Sequence, residues 1–385
     1  MRPPSKAIVR MARSGIREIY DLAITIPGAI HLEMGEPDFP TPPHIIEAAS
    51  IAAEKGHTKY TANAGIPELR EAAAAKVRDR NGIEATMGQV VVTPGAIAAL
   101  YGVMLALCDP GDQVLLPDPG WPNHGMICDL QGLVAARYPL PGGSEIERLP
   151  DVVEPLIKER TKVLLINSPS NPTGEVIPAE TLDRLLELAD RNDLWVVSDE
   201  VYDEIVFDGR SAPSAAARSQ SERVVSVFSF SKTYSMTGWR VGYAVAPTAT
   251  AHHVIKTQEP ITACVNAPAQ MAALAALEGP QECVIEMRTA YERRRDEVTA
   301  LLDRSGARYV HPDGAFYIWI DISAAGMSSG EFATRLLREK GVAVTPGVAF
   351  GPRSDSHVRV SLAAAMDQLR EGVSRLIAAA GDWAD

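Results

Sequence analysis

Lys232 stands shortly after the β-branched run Val224 to Phe228, and the hydroxyls of Ser229 and Ser231 lie between them. An amine in that setting can attack an aldehyde once it has lost its proton. Arg240 comes eight residues later, and Gly95-Ala96-Ile97 opens an apolar helical stretch just after another run, Val90 to Val92. Small residues at a helix start, hydroxyls and a guanidinium together suit a phosphate dianion, because unpaired N–H groups and a fork of donors share its charge. No Walker-type lysine pattern accompanies them. Asp199 ends a third apolar run, where an ionised carboxylate is costly to bury unless a cation meets it. Tyr202 and Asn171 can hydrogen-bond a phenolic oxygen, and Trp121 can lie on a flat ring.

A phosphate, a ring cation, a phenolic oxygen, a flat ring and an aldehyde partner describe pyridoxal 5′-phosphate. That cofactor needs a Schiff-base lysine and a carboxylate at its pyridine nitrogen. For Lys232 to act as a base its amine must be neutral, and a desolvated pocket beside other cations favours that form.

The residues that carry this chemistry share one kind of position. Seven short runs, Val90 to Val92, Gln113 to Leu116, Leu133 to Tyr138, Val163 to Ile166, Leu194 to Val197, Val224 to Phe228 and Val241 to Val245, alternate with helical patterns. Several are apolar on both faces, which predicts an α/β fold with a seven-stranded, mainly parallel sheet covered by helices on each side. Ligands of such sheets sit beyond the carboxyl ends of the strands, where Gly95, Trp121, Asn171, Asp199, Tyr202 and Lys232 all fall. A crossover helix is expected over 177–192, with Pro178 in its first turn and Leu182, Leu185, Leu186 and Leu188 as its stripe. Beyond about residue 250 long helical stretches precede the runs Phe316 to Ile320 and His357 to Ser361, which predict a smaller α+β domain. The first forty-odd residues, rich in Pro and without a strand of their own, are expected to pack beside it as an arm. The expected division is a large domain over 45–280 and a small one from 1–44 and 281–385.

Composition agrees with a small-molecule enzyme. Among 385 residues, 37 basic and 49 acidic side chains give a net charge of −12, which repels nucleic acid and anionic lipid. No apolar run approaches membrane-spanning length. The N-terminal segment lacks the apolar core of an export leader, so a cytoplasmic location is expected. Four scattered cysteines show no CxxC pairing, and the histidines show no metal-ligand spacing, so reduced thiols and no metal are expected.

The segment from Ser229 to Gly242, Ser-Phe-Ser-Lys-Thr-Tyr-Ser-Met-Thr-Gly-Trp-Arg-Val-Gly, resembles the pyridoxal-phosphate attachment motif of class I/II aminotransferases. The resemblance extends through Gly35-Glu36-Pro37-Asp38-Phe39, Lys59-Tyr60-Thr61, residues 65–70, 167–174, 198–202, 312–317 and 358–361, nearest to the bacterial aspartate-aminotransferase-like subgroup of the fold-type I enzymes. It implies a homodimer with active sites at the subunit boundary, and ping-pong transfer of an amino group from an amino acid to a 2-oxo acid. By the same resemblance Lys232 is the Schiff-base lysine and proton shuttle, Asp199 meets the ring nitrogen, and Asn171 and Tyr202 hold the phenolic oxygen. Trp121 covers the ring and borders the substrate. Gly95, Ala96, Ile97, Ser229, Ser231, Arg240 and the Tyr60 hydroxyl of the other subunit surround the phosphate. Arg359 forks the substrate α-carboxylate, with Gly35 and Asn171 beside it.

One departure concerns the substrate. Many aspartate-using members have a lysine where this chain has Ile97, and an apolar side chain offers a second carboxylate no partner. A neutral, apolar or aromatic donor is therefore expected, with Ile24 and Ile26 of the arm as possible wall residues. His124 is a candidate to reach the pocket, and Asn171-Pro172 a candidate cis peptide. The rival readings are a lyase, racemase or decarboxylase with the same cofactor contacts, and a non-catalytic cofactor-binding regulatory domain.

Overall fold

A computed structural model describes residues 3–11 and 13–383. All seven anticipated strands form one sheet: β1 (Val90–Thr93), β2 (Gln113–Asp118), β3 (Val134–Pro139), β4 (Thr161–Asn167), β5 (Trp195–Asp199), β6 (Val224–Ser229) and β7 (Gly242–Val245). Their spatial order is β1-β7-β6-β5-β4-β2-β3. Only β7 runs against its neighbours, pairing antiparallel with both β1 and β6. Every residue of β1, β2 and β7 is buried. Each buried Val or Leu contributes about 1.5–3 kcal/mol, and burial on both faces explains why these runs lack alternation.

The helix expected over 177–192 runs from Ala179 to Arg191 and buries Leu182, Leu185, Leu186 and Leu188. Pro178 occupies its N-cap rather than its first turn, with ψ 149. The helix thus begins one residue later than its proline suggested.

A second sheet is built from β8 (Tyr309–Val310), β9 (Tyr317–Asp321), β10 (Thr345–Pro346) and β11 (His357–Ser361), in the order β10-β11-β9-β8 with all pairs antiparallel. Its core includes Phe316, Ile318, Phe332 and Val360, and the arm adds Ile19, Ala23, Ile30 and Leu32. The arm therefore packs where expected, but it does contain a strand. Ile30–His31 pairs in parallel with Val342–Ala343, a two-residue bridge too short to leave a periodic signal in the sequence.

No helix among the described residues is long and apolar enough to cross a membrane.

Candidate active site

The ends of β4, β5 and β6 border a cleft of about 650 Å³ that also takes side chains from the arm and from β9 and β11. Of the expected site residues, Gly35, Ala96, Ile97, Trp121, Asn171, Asp199, Tyr202, Ser229, Ser231, Lys232, Arg240 and Arg359 line it together. Gly95 lies beside it. Its φ of +81 is one that L side chains resist, and a Cβ there would meet the Arg240 guanidinium at 2.5 Å. Tyr60 does not border the cleft of its own chain and is 90% exposed.

Lys232 sits in a short helix, Phe230–Thr233, that β6 leads into, with Ser229 capping it by accepting from the Ser231 N–H at 3.1 Å. Its ammonium donates to the Gly35 carbonyl. Burial pushes the amine down to about 8; Arg359 and Arg240 press the same way, while Glu36 opposes them. That value leaves an appreciable neutral fraction near physiological pH, as a proton shuttle requires.

Asp199 is 2% exposed. One of its oxygens meets His124 Nε2 at 2.9 Å, and the other, Oδ1, is buried with no hydrogen-bond partner. A buried, unpartnered carboxylate oxygen in a cleft wall asks for a cationic donor, which a protonated pyridine nitrogen supplies. His124 thus supports Asp199 from behind and is not part of the cleft lining, unlike the direct approach expected of it. The ring of Trp121 meets His124 edge-on, 5.3 Å between centroids.

Asn167, next to Asp199 in the sheet register, was not anticipated. Its amide donates to the Asp199 carbonyl at 3.0 Å and accepts from the Asn171 N–H at 2.8 Å. Asn171 accepts from Arg359 Nη1 at 2.9 Å, so the NH2 of its amide can donate to a ligand in the cleft. Among the described residues the cis bonds are Asp118–Pro119 and Ser168–Pro169, so the bond that is cis near this turn precedes Pro169 and not Pro172.

Tyr202 and Tyr317 share a hydrogen bond of 2.8 Å between their hydroxyls. Burial, with Tyr317 adding to it, holds the Tyr202 phenol well above its ordinary pKa, so it stays a neutral donor. Tyr317 was missed as a site residue although its segment carried part of the resemblance. It explains Gly35, where any Cβ would strike the Tyr317 hydroxyl. Arg359 is only 1% exposed and donates to the Glu33 carbonyl, to Thr345 Oγ1 and to Asn171, while its Nε has no partner. No carboxylate lies within salt-bridge distance of it among the described residues, so its fork can answer a ligand's. Ile24 is 59% exposed and neither it nor Ile26 lines the cleft; the arm contributes Ser14, Ile16 and Arg17 instead.

Glu200, next to Asp199, accepts from Ser226 Oγ at 2.8 Å and from the Ala215 N–H at 3.3 Å. Burial pushes it up from 4.5 to about 7, against the hydrogen bond from Ser226. A carboxyl whose folded pKa is raised contributes stability that is complete below the unfolded value and is lost as pH rises through the folded one. Glu200→Gln should therefore exceed the parent in stability by up to about 3 kcal/mol at pH 8.5, and by much less at pH 5. Urea midpoints at the two pH values measure the difference.

Comparison with known proteins places these features. The family model described as aminotransferase class I and II matches residues 27–376. A putative aminotransferase, YugH, of Bacillus subtilis is 37% identical over 97% of both chains. An aromatic-amino-acid aminotransferase of Thermococcus litoralis is 38% identical over 94% of both. The structure of Thermus thermophilus aspartate aminotransferase with maleate superposes with a TM-score of 0.92 at 36% identity, covering 98% of this chain and 100% of that one. With Lys232, a carboxylate oxygen that has no partner, and Arg240 near the start of the Ala96–Leu107 helix in one cleft, the chain belongs to the class I and II aminotransferases, fold-type I enzymes that use pyridoxal 5′-phosphate to move an amino group from an amino acid to a 2-oxo acid.

Proposed function

We propose that the amino donor is a neutral amino acid with an apolar or aromatic side chain, and that aspartate is a poor one. The observation that carries this reading is Ile97 on the cleft wall, with Ile16, Trp121 and Met126 also facing the cleft. Burying an unpaired second carboxylate against such a wall costs several kcal/mol. When bound, pyridoxal 5′-phosphate supplies an electron sink that loosens the substrate Cα–H bond and carries the amino group between the two halves of a ping-pong cycle.

In this reading the chain's own residues do the following. Arg359 clamps the α-carboxylate by a two-pronged ion pair, and Asn171 keeps the guanidinium aimed. Lys232, in its neutral form, takes the proton from Cα. Asp199, held by His124 and Asn167, keeps a positive charge on the ring nitrogen. Tyr202 and the amide of Asn171 donate to the phenolic oxygen. Arg240, Ser229, Ser231 and the start of the Ala96–Leu107 helix beside Gly95 cradle the phosphate, with Ile97 beside it, and Trp121 shields the ring from water. The exposed Tyr60 completes the phosphate site of a second copy in a homodimer. The division into a domain over 45–280 and one from 1–44 and 281–385 puts the cleft between them. The four unpaired cysteine thiols fit a reducing, cytoplasmic setting.

The test is a donor panel with a fixed oxo-acid acceptor. Phenylalanine, leucine or methionine should exceed aspartate in kcat/KM by at least about a hundredfold, as several kcal/mol for one unpaired charge implies. Aspartate as the best donor refutes the reading.

A further inference from the structure

A tyrosine hydroxyl has one hydrogen to give, and Tyr202 gives its own to the phenolic oxygen in the function proposed above. Its lone pairs then need a donor. The hydroxyls of Tyr202 and Tyr317 stand 2.8 Å apart, either able to donate, and among the described residues neither has another hydrogen-bond partner. Burial holds both phenols above their ordinary pKa, so both keep their hydrogens. Once the Tyr202 hydrogen turns to a ligand, Tyr317 is the donor that remains. The ring of Tyr317 serves a different group. Across β9 and β11, Tyr317 pairs with Ser361 and Trp319 with Arg359, which makes Tyr317 and Arg359 diagonal neighbours on one face of the sheet. The Arg359 guanidinium lies 4.3 Å from the centroid of the Tyr317 ring. Tyr317 itself is 1% exposed, with the rings of Tyr202 and Phe316 packed against it at 5.8 and 5.0 Å between centroids.

We infer that Tyr317 is a positioning residue with two ends: its hydroxyl donates to Tyr202 and so strengthens the hydrogen bond of Tyr202 to the phenolic oxygen, and its ring holds the Arg359 guanidinium in place for the substrate carboxylate. The inference rests on the reading of Tyr202 as a donor to that oxygen. A hydroxyl that accepts a hydrogen bond becomes a stronger donor. A negative phenolic oxygen keeps a proton on the nitrogen that Lys232 brings to the cofactor; a stronger donor draws off that charge and releases the proton at lower pH. The charged and titratable groups that face the two phenols are Arg359 from β11, Asp199 from the end of β5, Tyr291 from the helix Glu282–Ser305, and Lys232 beside Phe316. Substitution of the tyrosines leaves all four in place.

The holoenzyme is titrated with acid and base while the absorbance of the bound cofactor is followed, in the parent, Tyr202→Phe, Tyr317→Phe and the double variant. Tyr202→Phe should raise the midpoint by at least about one pH unit, the size of a hydrogen bond to a charged group. Tyr317→Phe should raise it by about 0.2–0.6 unit, the share that polarisation adds. In the Tyr202→Phe background it should add nothing, because the hydroxyl through which it acts is gone. A merely structural role would shift the midpoint equally in both backgrounds; that outcome, or no shift from Tyr317→Phe in either, overturns the inference. An unmoved midpoint in Tyr202→Phe refutes the reading of Tyr202 instead. Calorimetry with valerate, an unreactive monocarboxylate, tests the ring: Tyr317→Phe should bind it within about twofold of the parent, and Tyr317→Leu at least about fivefold more weakly. Parent affinity in Tyr317→Leu, or equal losses in both variants, removes the ring from the clamp.

Discussion

Lys232→Ala should lose at least about 10⁴-fold in kcat, because the variant gives up both the amine that meets the cofactor aldehyde and the base that moves the Cα proton. The geometry sets this expectation. The lysine is half-buried, its amine is pushed down to about 8 by desolvation, and its visible partner is the carbonyl of Gly35. A lysine in that position carries little of the fold, so the variant should keep its circular dichroism and its thermal midpoint within a few degrees. It should still take up the cofactor through the phosphate cradle and Asp199, but borohydride should leave no reduced adduct on the chain. A variant that retains more than about one per cent of the parent kcat would assign the proton transfer to another group.

Asp199→Asn should cost about 10²- to 10⁴-fold in kcat, since losing one partner of a buried ion pair is worth about 3–5 kcal/mol. Asparagine fills the same volume and can keep its link to His124, so the loss reports the charge and not the packing. The fate of the unpartnered Oδ1 is decisive here. If that oxygen meets a protonated ring nitrogen, the neutral variant cannot hold the proton there, and the cofactor should show a changed absorbance at equal occupancy. His124→Asn should have a smaller effect in the same direction, because it removes the support and leaves the carboxylate. Unchanged turnover in Asp199→Asn would contradict the pyridinium contact.

Much of this site is legible in the chain because the order of residues fixes it locally. Asp199 and Lys232 each follow an apolar run closely, and in an α/β sheet those runs must end at one edge. The peptide alone therefore delivers a carboxylate and an amine to the same place. Gly95-Ala96 opens a helix for the same reason. Arg359 was harder, since an arginine in a strand is as ordinary on a surface as in a site. It is buried because β11 lies inside its sheet, between β9 and β10.

What the sequence by itself determined is the α/β class, the seven strands and the gathering of Trp121, Asn171, Asp199 and Lys232 at one sheet edge. These follow from the period of apolar residues and from side-chain types at strand ends, both of which are local properties. Only the tertiary structure decided that β7 is reversed, because an apolar run carries no direction. It also decided that His124 meets Asp199 across 75 residues, that Tyr317 occupies the space Gly35 leaves open, and that Ile16 and Arg17, not Ile24 and Ile26, line the cleft. Periodicity reports that a side chain is buried or exposed but not what it touches, and the partners of these residues are set by how segments far apart in the chain pack together.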